Sequence, residues 1–120
     1  MTLREKQSLF AHLNAELVLW IYAQGWEVTL ADRSIATPRF FRRGGRRFKC
    51  EDAHHMRVSL HYSRLAQDLN LFVGGEYIMD GSHPAWVAVG EHWEAMHELC
   101  AWGGRWQDAN HFSLRHEGRA

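Results

Sequence analysis

The chain has 120 residues, 46% of them hydrophobic and 23% charged, enough for one ordinary folded core and unlike a disordered segment. Lys plus Arg and Asp plus Glu are both 14, and this zero net charge argues against general nucleic-acid binding, which asks for a positive surplus. No apolar run approaches the ~20 residues of a membrane span, and Met1 to Ala11 lacks the apolar stretch of a secretory signal.

Thr2-Leu3-Arg4-Glu5 has the pattern of a capping box, and Phe10, Leu13, Leu17 and Trp20 or Ile21 then recur at the spacing of one helix face. Gly25 reads as the stop of that helix. Trp26, Val28 and Leu30 alternate with Glu27 and Thr29, which predicts a half-buried strand. From Asp32 to Arg57 the periodicity fails. Arg33, Arg39, Arg42, Arg43, Arg46, Arg47, Lys49 and Arg57 surround Gly44-Gly45 there, the reading being a long, mobile, basic loop, functional or else disordered. Leu65 to Val73 reads as a buried strand, and Gly74-Gly75 as a hairpin turn into Glu76-Tyr77-Ile78-Met79, ended by Asp80-Gly81-Ser82. Pro84 suits the first turn of a helix whose apolar face is Trp86, Val89, Trp93, Met96 and Cys100, with Gly103-Gly104 as its stop. His111-Phe112-Ser113-Leu114 reads as a closing strand. The order predicts a single α+β domain over residues 1–120, with a small antiparallel sheet flanked by helices.

Nine histidines stand out, and two stretches concentrate the chemistry. In Ser59-Leu60-His61-Tyr62-Ser63-Arg64-Leu65-Ala66-Gln67-Asp68, the seven-residue offset between His61 and Asp68 is not the three- or four-residue repeat by which a helix face usually presents two ligands. It brings two ligands together if the chain turns between them and Asp68 lies on the following strand. In Trp102-Gly103-Gly104-Arg105-Trp106-Gln107-Asp108-Ala109-Asn110-His111, a carboxylate precedes a histidine by three as a loop enters the last strand. Two imidazoles, one carboxylate ligand and one spare carboxylate are what a catalytic zinc needs: three protein ligands, an open position and a base. Spacing alone leaves a purely structural His/Asp pair as the alternative.

The remaining candidates read more simply. His97-Glu98 begins a zincin-like pattern that fails because Ala101 stands where its second histidine belongs. His97 reads as a satisfied boundary histidine, Glu94 and His97 as a helix-surface pair, and His54 and His55 as loop residues. Most of the six tryptophans read as core filling. Cys50 and Cys100 are too few for a disulfide framework, read as inert thiols and fit synthesis in a reducing cytosol.

Ser59-x-His61-x6-Asp68, followed by Trp102-Gly103-Gly104 and Asp108-x-x-His111-Phe112, resembles the D-alanyl-D-alanine carboxypeptidase family of zinc peptidases. More narrowly, it is similar to the small phage endolysins that act as L-alanyl-D-glutamate peptidases. The likeness also takes in the opening helix, Gly25-Trp26-Glu27-Val28-Thr29 and Arg64 to Phe72. It implies a hedgehog/D-Ala-D-Ala-peptidase-like fold, a Zn2+ cofactor held by His61, Asp68 and His111, and Asp108 as the general base. An aspartate at that position points to the endopeptidase branch, since the carboxypeptidase relatives usually have glutamate. Ser59 takes the place of a hydroxyl that contacts substrate, and Arg33 and Arg39 are the two candidates for the family's substrate-facing arginine, neither falling on its expected position. The glycine of the Ser-x-His-x-x-Gly pattern is here Arg64 or its neighbour Ser63.

The resemblance implies a metallopeptidase that hydrolyses a stem-peptide bond of peptidoglycan, L-Ala–D-Glu or a D,D-bond, in phage lysis or wall degradation. Such an enzyme waits in the host cytoplasm before release to the wall, or travels with the virion. Arg42, Arg43, Arg46 and Arg47 then attract the anionic cell-wall surface. The rival expectation is a non-catalytic zinc-fold component that only binds, a use that hedgehog-type domains exemplify.

Overall fold

The computed structural model describes residues 1–31, 60–61 and 63–120. Helix α1 (Leu3–Ala23) begins as its sequence dictates: the Thr2 hydroxyl accepts the Glu5 amide at 3.1 Å, and the Glu5 carboxylate accepts the Thr2 amide at 2.8 Å. Phe10, Leu13, Leu17 and Ile21 form its buried stripe, with Trp20 only partly buried at the margin. The helix ends through Gly25, whose φ of +86° is the left-handed geometry that glycine reaches without strain.

Strand β1 (Glu27–Ala31) pairs antiparallel with β2 (Ala66–Val73), from Glu27 opposite Phe72 to Ala31 opposite Asp68. The half-buried alternation expected here holds for Trp26 and Val28, partly buried against the core between exposed Glu27 and Thr29, and fails at Leu30. Leu30 faces the same side of the sheet, yet is 67% exposed, because among the described residues β1 is an edge strand and Leu30 lies outside the packed cluster. Gly74 and Gly75 (φ +60° and +81°) turn β2 into β3 (Glu76–Tyr77), shorter than the four residues expected.

Helix α2 (Pro84–Met96) starts with Pro84 in its first turn and the His83 ring accepting the Ala85 amide. It stops earlier than the apolar spacing predicts. His97 turns to extended backbone and its ring accepts the Leu99 amide at 3.0 Å, so Cys100 leaves the helix and opens β4 (Cys100–Trp102). All three β4 residues are buried, and such a run has no period to separate strand from helix. Gly103–Trp106 forms a single turn of 3-10 helix rather than a helix stop, and β5 (His111–Leu114) closes the fold.

The sheet order is β1-β2-β5-β4, with β3 on β2, and every pairing is antiparallel. Leu69 and Leu71 of β2, Phe112 and Leu114 of β5, and Trp86 and Trp93 of α2 join the α1 stripe in one core, so the chain is a small α+β fold as expected. Because strand side chains alternate, residues 66, 68, 70 and 72 of β2 and 111 and 113 of β5 occupy the opposite face. Among the described residues, no helix is long and apolar enough to cross a membrane.

Candidate metal centre

His61 sits in the tight turn that delivers the chain into β2, where Leu65 N–H donates to the Leu60 carbonyl and Arg64 N–H to the His61 carbonyl. Arg64, one of the two residues read at the place of the resembled pattern's glycine, takes φ +60° and is exposed. A non-glycine residue in that region carries steric strain from its Cβ.

Asp68 and His111 face each other directly across β2 and β5. The Leu69 amide donates to the Asn110 carbonyl at 2.9 Å, which makes Asp68/His111 a non-hydrogen-bonded pair, the kind whose side chains stand closest. His61 joins them. Its Nε2 lies 3.2 Å from His111 Nδ1 and 3.3 Å from Asp68 Oδ1, and the third side, His111 Nδ1 to Asp68 Oδ1, is 3.6 Å. The ligand atoms of all three residues fall within 4.8 Å of one another. Asp68 and His111 are buried and His61 half-buried, so a carboxylate and two imidazoles converge at the margin of the core. The cluster is positioned to chelate a metal ion. No protein-family model matches the chain, and no curated protein matches it. The centre therefore rests on its own geometry.

The Trp102-Gly103-Gly104 stretch is the frame of this centre. A Cβ on Gly90 of α2 or on Gly104 would overlap the Trp102 indole, so the ring lies in a slot that two glycines leave open. Its Nε1 donates to the Ala109 carbonyl at 2.7 Å, tying down the loop that leads to His111. A Cβ on Gly103 would overlap the Asp108 carbonyl oxygen and lie 2.7 Å from the His111 Cβ. That space is needed because Asp108 N–H donates to the Gly103 carbonyl at 2.8 Å and the Asp108 carbonyl accepts His111 N–H at 3.0 Å. Asp108 itself is half-buried in this loop.

Glu94 braces the frame from α2. Its carboxylate accepts the Trp102 amide at 3.3 Å and two guanidinium bonds from Arg105 at 2.6 and 3.1 Å. Arg105 also lies over the Trp102 ring, 5.4 Å from its centroid. Burial pushes the Glu94 carboxyl up, but the bonds from Arg105 and Trp102 outweigh it and hold the group below its usual value. Glu94 thus pairs with Arg105, not with His97 as the helical spacing suggested. His97 is a satisfied boundary residue, as read. Burial pushes the Cys100 thiol up to about 12, which leaves it inert.

Arg33, Arg39, the cluster of Arg42, Arg43, Arg46 and Arg47, Cys50, His54, His55 and Ser59 all lie outside the described residues. One neighbour of the centre escapes sequence reasoning. Trp106 is 46% exposed and its ring centroid is 5.7 Å from that of His111, so it borders the centre instead of filling the core. Its adjacency to a histidine five residues on is the only sequence trace of that role.

Proposed function

We propose that the chain is a zinc-dependent peptidase that hydrolyses a stem-peptide bond of peptidoglycan, L-Ala–D-Glu in the first place and a D,D-bond as the close alternative. The triangle of His61 Nε2, Asp68 Oδ1 and His111 Nδ1 carries the reading. Its sides of 3.2, 3.3 and 3.6 Å bracket the about 3.4 Å expected between ligand atoms placed tetrahedrally around zinc at ~2.1 Å. Octahedral magnesium at similar bond lengths asks for about 2.9 Å and for oxygen donors, so both the spacing and the two nitrogens favour zinc. Three protein ligands leave a position for the reaction.

Zinc, when bound, supplies Lewis acidity to the attacking water and to the scissile carbonyl. Asp108 takes the proton from the water on its carboxylate and returns it to the leaving amine. Its place three residues before His111, in a loop held by Gly103 and Trp102, supports that role. The substrate class, the hedgehog/D-Ala-D-Ala-peptidase likeness and a lysis role rest on the resemblance that the two motifs, Ser59-x-His61-x6-Asp68 and Asp108-x-x-His111, bear to the zinc peptidase family. In this reading Ser59 and one of Arg33 and Arg39 meet substrate, the Arg42–Arg47 cluster attracts the anionic wall, and the enzyme acts after leaving the host cytoplasm.

The test is metal content followed by mass analysis of digested peptidoglycan. The purified protein holds about one zinc per chain, and His61→Ala, Asp68→Ala and His111→Ala each lose metal and activity together. Cleavage at L-Ala–D-Glu leaves peptides that begin with D-Glu. Zinc retained by all three variants overturns the ligand set. Zinc held without any stem peptide cut replaces this reading with the non-catalytic zinc-fold component.

A further inference from the structure

The metal-bearing face of the sheet continues past the centre. Asp68, Asn70 and Phe72 are successive residues on one face of β2, so the row extends about 13 Å from the metal ligands. Asn70 lies between its cross-strand neighbours: its Nδ2 donates to Thr29 Oγ1 at 3.2 Å on the β1 side, and its Oδ1 accepts from the Tyr77 hydroxyl at 3.5 Å on the β3 side. Phe72 and Tyr77 stand opposite each other with ring centroids 5.5 Å apart and a tilt of 42°. Tyr77 is 50% exposed and Thr29 is exposed, whereas the helices and the hydrophobic core lie on the other face.

This arrangement joins a metal centre to polar side-chain groups and then to an exposed aromatic ring, all on one surface. A stem peptide has a chemical order to match: amides near the scissile bond, then the sugar to which the peptide is attached. Sugar rings present axial C–H faces that stack on aromatic rings, and amides bond to carboxamides and hydroxyls. From the proposed cleavage at L-Ala–D-Glu, the link back to the sugar is one residue and a short acid, a span that the row accommodates.

We infer that the outer face of β2 and β3 is the binding track for the sugar-linked end of the substrate, with Asn70 holding the peptide and Tyr77 stacking on the sugar. The inference rests on the peptidase reading and names its preferred substrate: a stem peptide still attached to its sugar, in preference to the free peptide.

The experiment compares zinc-loaded wild type, Tyr77→Ala and Tyr77→Phe on a free stem peptide and on the same peptide carrying its muramoyl sugar. Wild type shows a lower KM for the sugar-linked form. Tyr77→Ala raises that KM about tenfold and abolishes the difference in KM between the two substrates, and Tyr77→Phe, which keeps the ring, keeps most of the preference. Equal KM values for the two substrates in wild type, or a preference that survives Tyr77→Ala, overturns the track. If neither substrate is cleaved, the peptidase reading fails instead. Calorimetric titration of the zinc-loaded protein with the muramoyl peptide then decides the track by itself: tighter binding than the free peptide that Tyr77→Ala abolishes upholds it, and its absence overturns it.

Discussion

Gly103→Ala is the sharpest probe of how the fold holds the centre. The added methyl overlaps the Asp108 carbonyl oxygen and sits 2.7 Å from the His111 Cβ. Both neighbours are anchored: Asp108 by its 2.8 Å bond to Gly103, His111 by its pairing with Asp68. Ordinary contact distances require a shift of roughly 1 Å, which breaks the Asp108–Gly103 bond or moves the strand that carries His111. Overpacking of this kind costs about 1–3 kcal/mol and a lost hydrogen bond about 1 kcal/mol more, so thermal unfolding moves down by roughly 10 °C. Metal sites tolerate ligand displacements of only about 0.2 Å, so the affinity of the centre for a metal ion, zinc on the proposed reading, falls on the order of 10–100-fold. Melting curves with and without zinc, and titration against a chromophoric chelator, read the two effects separately. A Gly103→Ala protein that melts and binds zinc like wild type refutes the account of this glycine.

Three further outcomes follow from the structure. On the proposed function, Asp108→Asn keeps the fold and the zinc but lowers hydrolysis of wall peptides about 10²–10⁴-fold, and equal turnover in the variant places the base elsewhere. Arg64→Gly relieves the strain at φ +60° and raises stability by about 0.5–1 kcal/mol in denaturant titration, since Arg64 is exposed; a loss of stability contradicts the strain argument. His92 stacks on Trp20 at 4.1 Å, and burial holds its pKa below the ordinary value against a raising pull from Glu16. The unfolded chain therefore binds the proton first, so the His92 contribution is intact above about pH 6.5 and is lost as the pH falls through that value toward the folded-state pKa. His92→Phe flattens that part of the stability profile, measured by melts of the metal-free protein at pH 7.5 and 5.5.

Features encoded by neighbours in the chain were legible in the sequence. The Thr2/Glu5 box, Gly25, the Gly74-Gly75 turn and Pro84 act within a few residues of themselves, and each stands where its chemistry puts it. The end of α2 was not legible, because Met96 and Cys100 continue a helical spacing while His97 breaks it through a side-chain bond to Leu99. Leu30 shows the same limit in a strand: alternation gives the face, but only the packing of other elements decides whether that face is covered. At the centre, the spacing of His61 and Asp68 allowed two ligands to meet on condition of a turn between them, and that turn is present. The opposition of Asp68 and His111 was reached only through the likeness of paired motifs, since strand register is a property of two segments together. Gly103-Gly104 read as a helix stop, whereas Gly104 and the distant Gly90 jointly make the slot that Trp102 fills.

The split of the three ligands between a local pair and a remote partner sets an order of assembly. His61 and Asp68 are joined by one turn and meet as soon as that turn forms, whereas His111 arrives only when β5 closes against β2 across more than forty intervening residues. Closing so long a loop is among the slow, entropically costly events of folding, so capture of the cation belongs to its final stage. A chelator added during refolding then leaves the early kinetic phases of this chain untouched and acts on the last one, as it withdraws a clasp that only the nearly finished sheet offers.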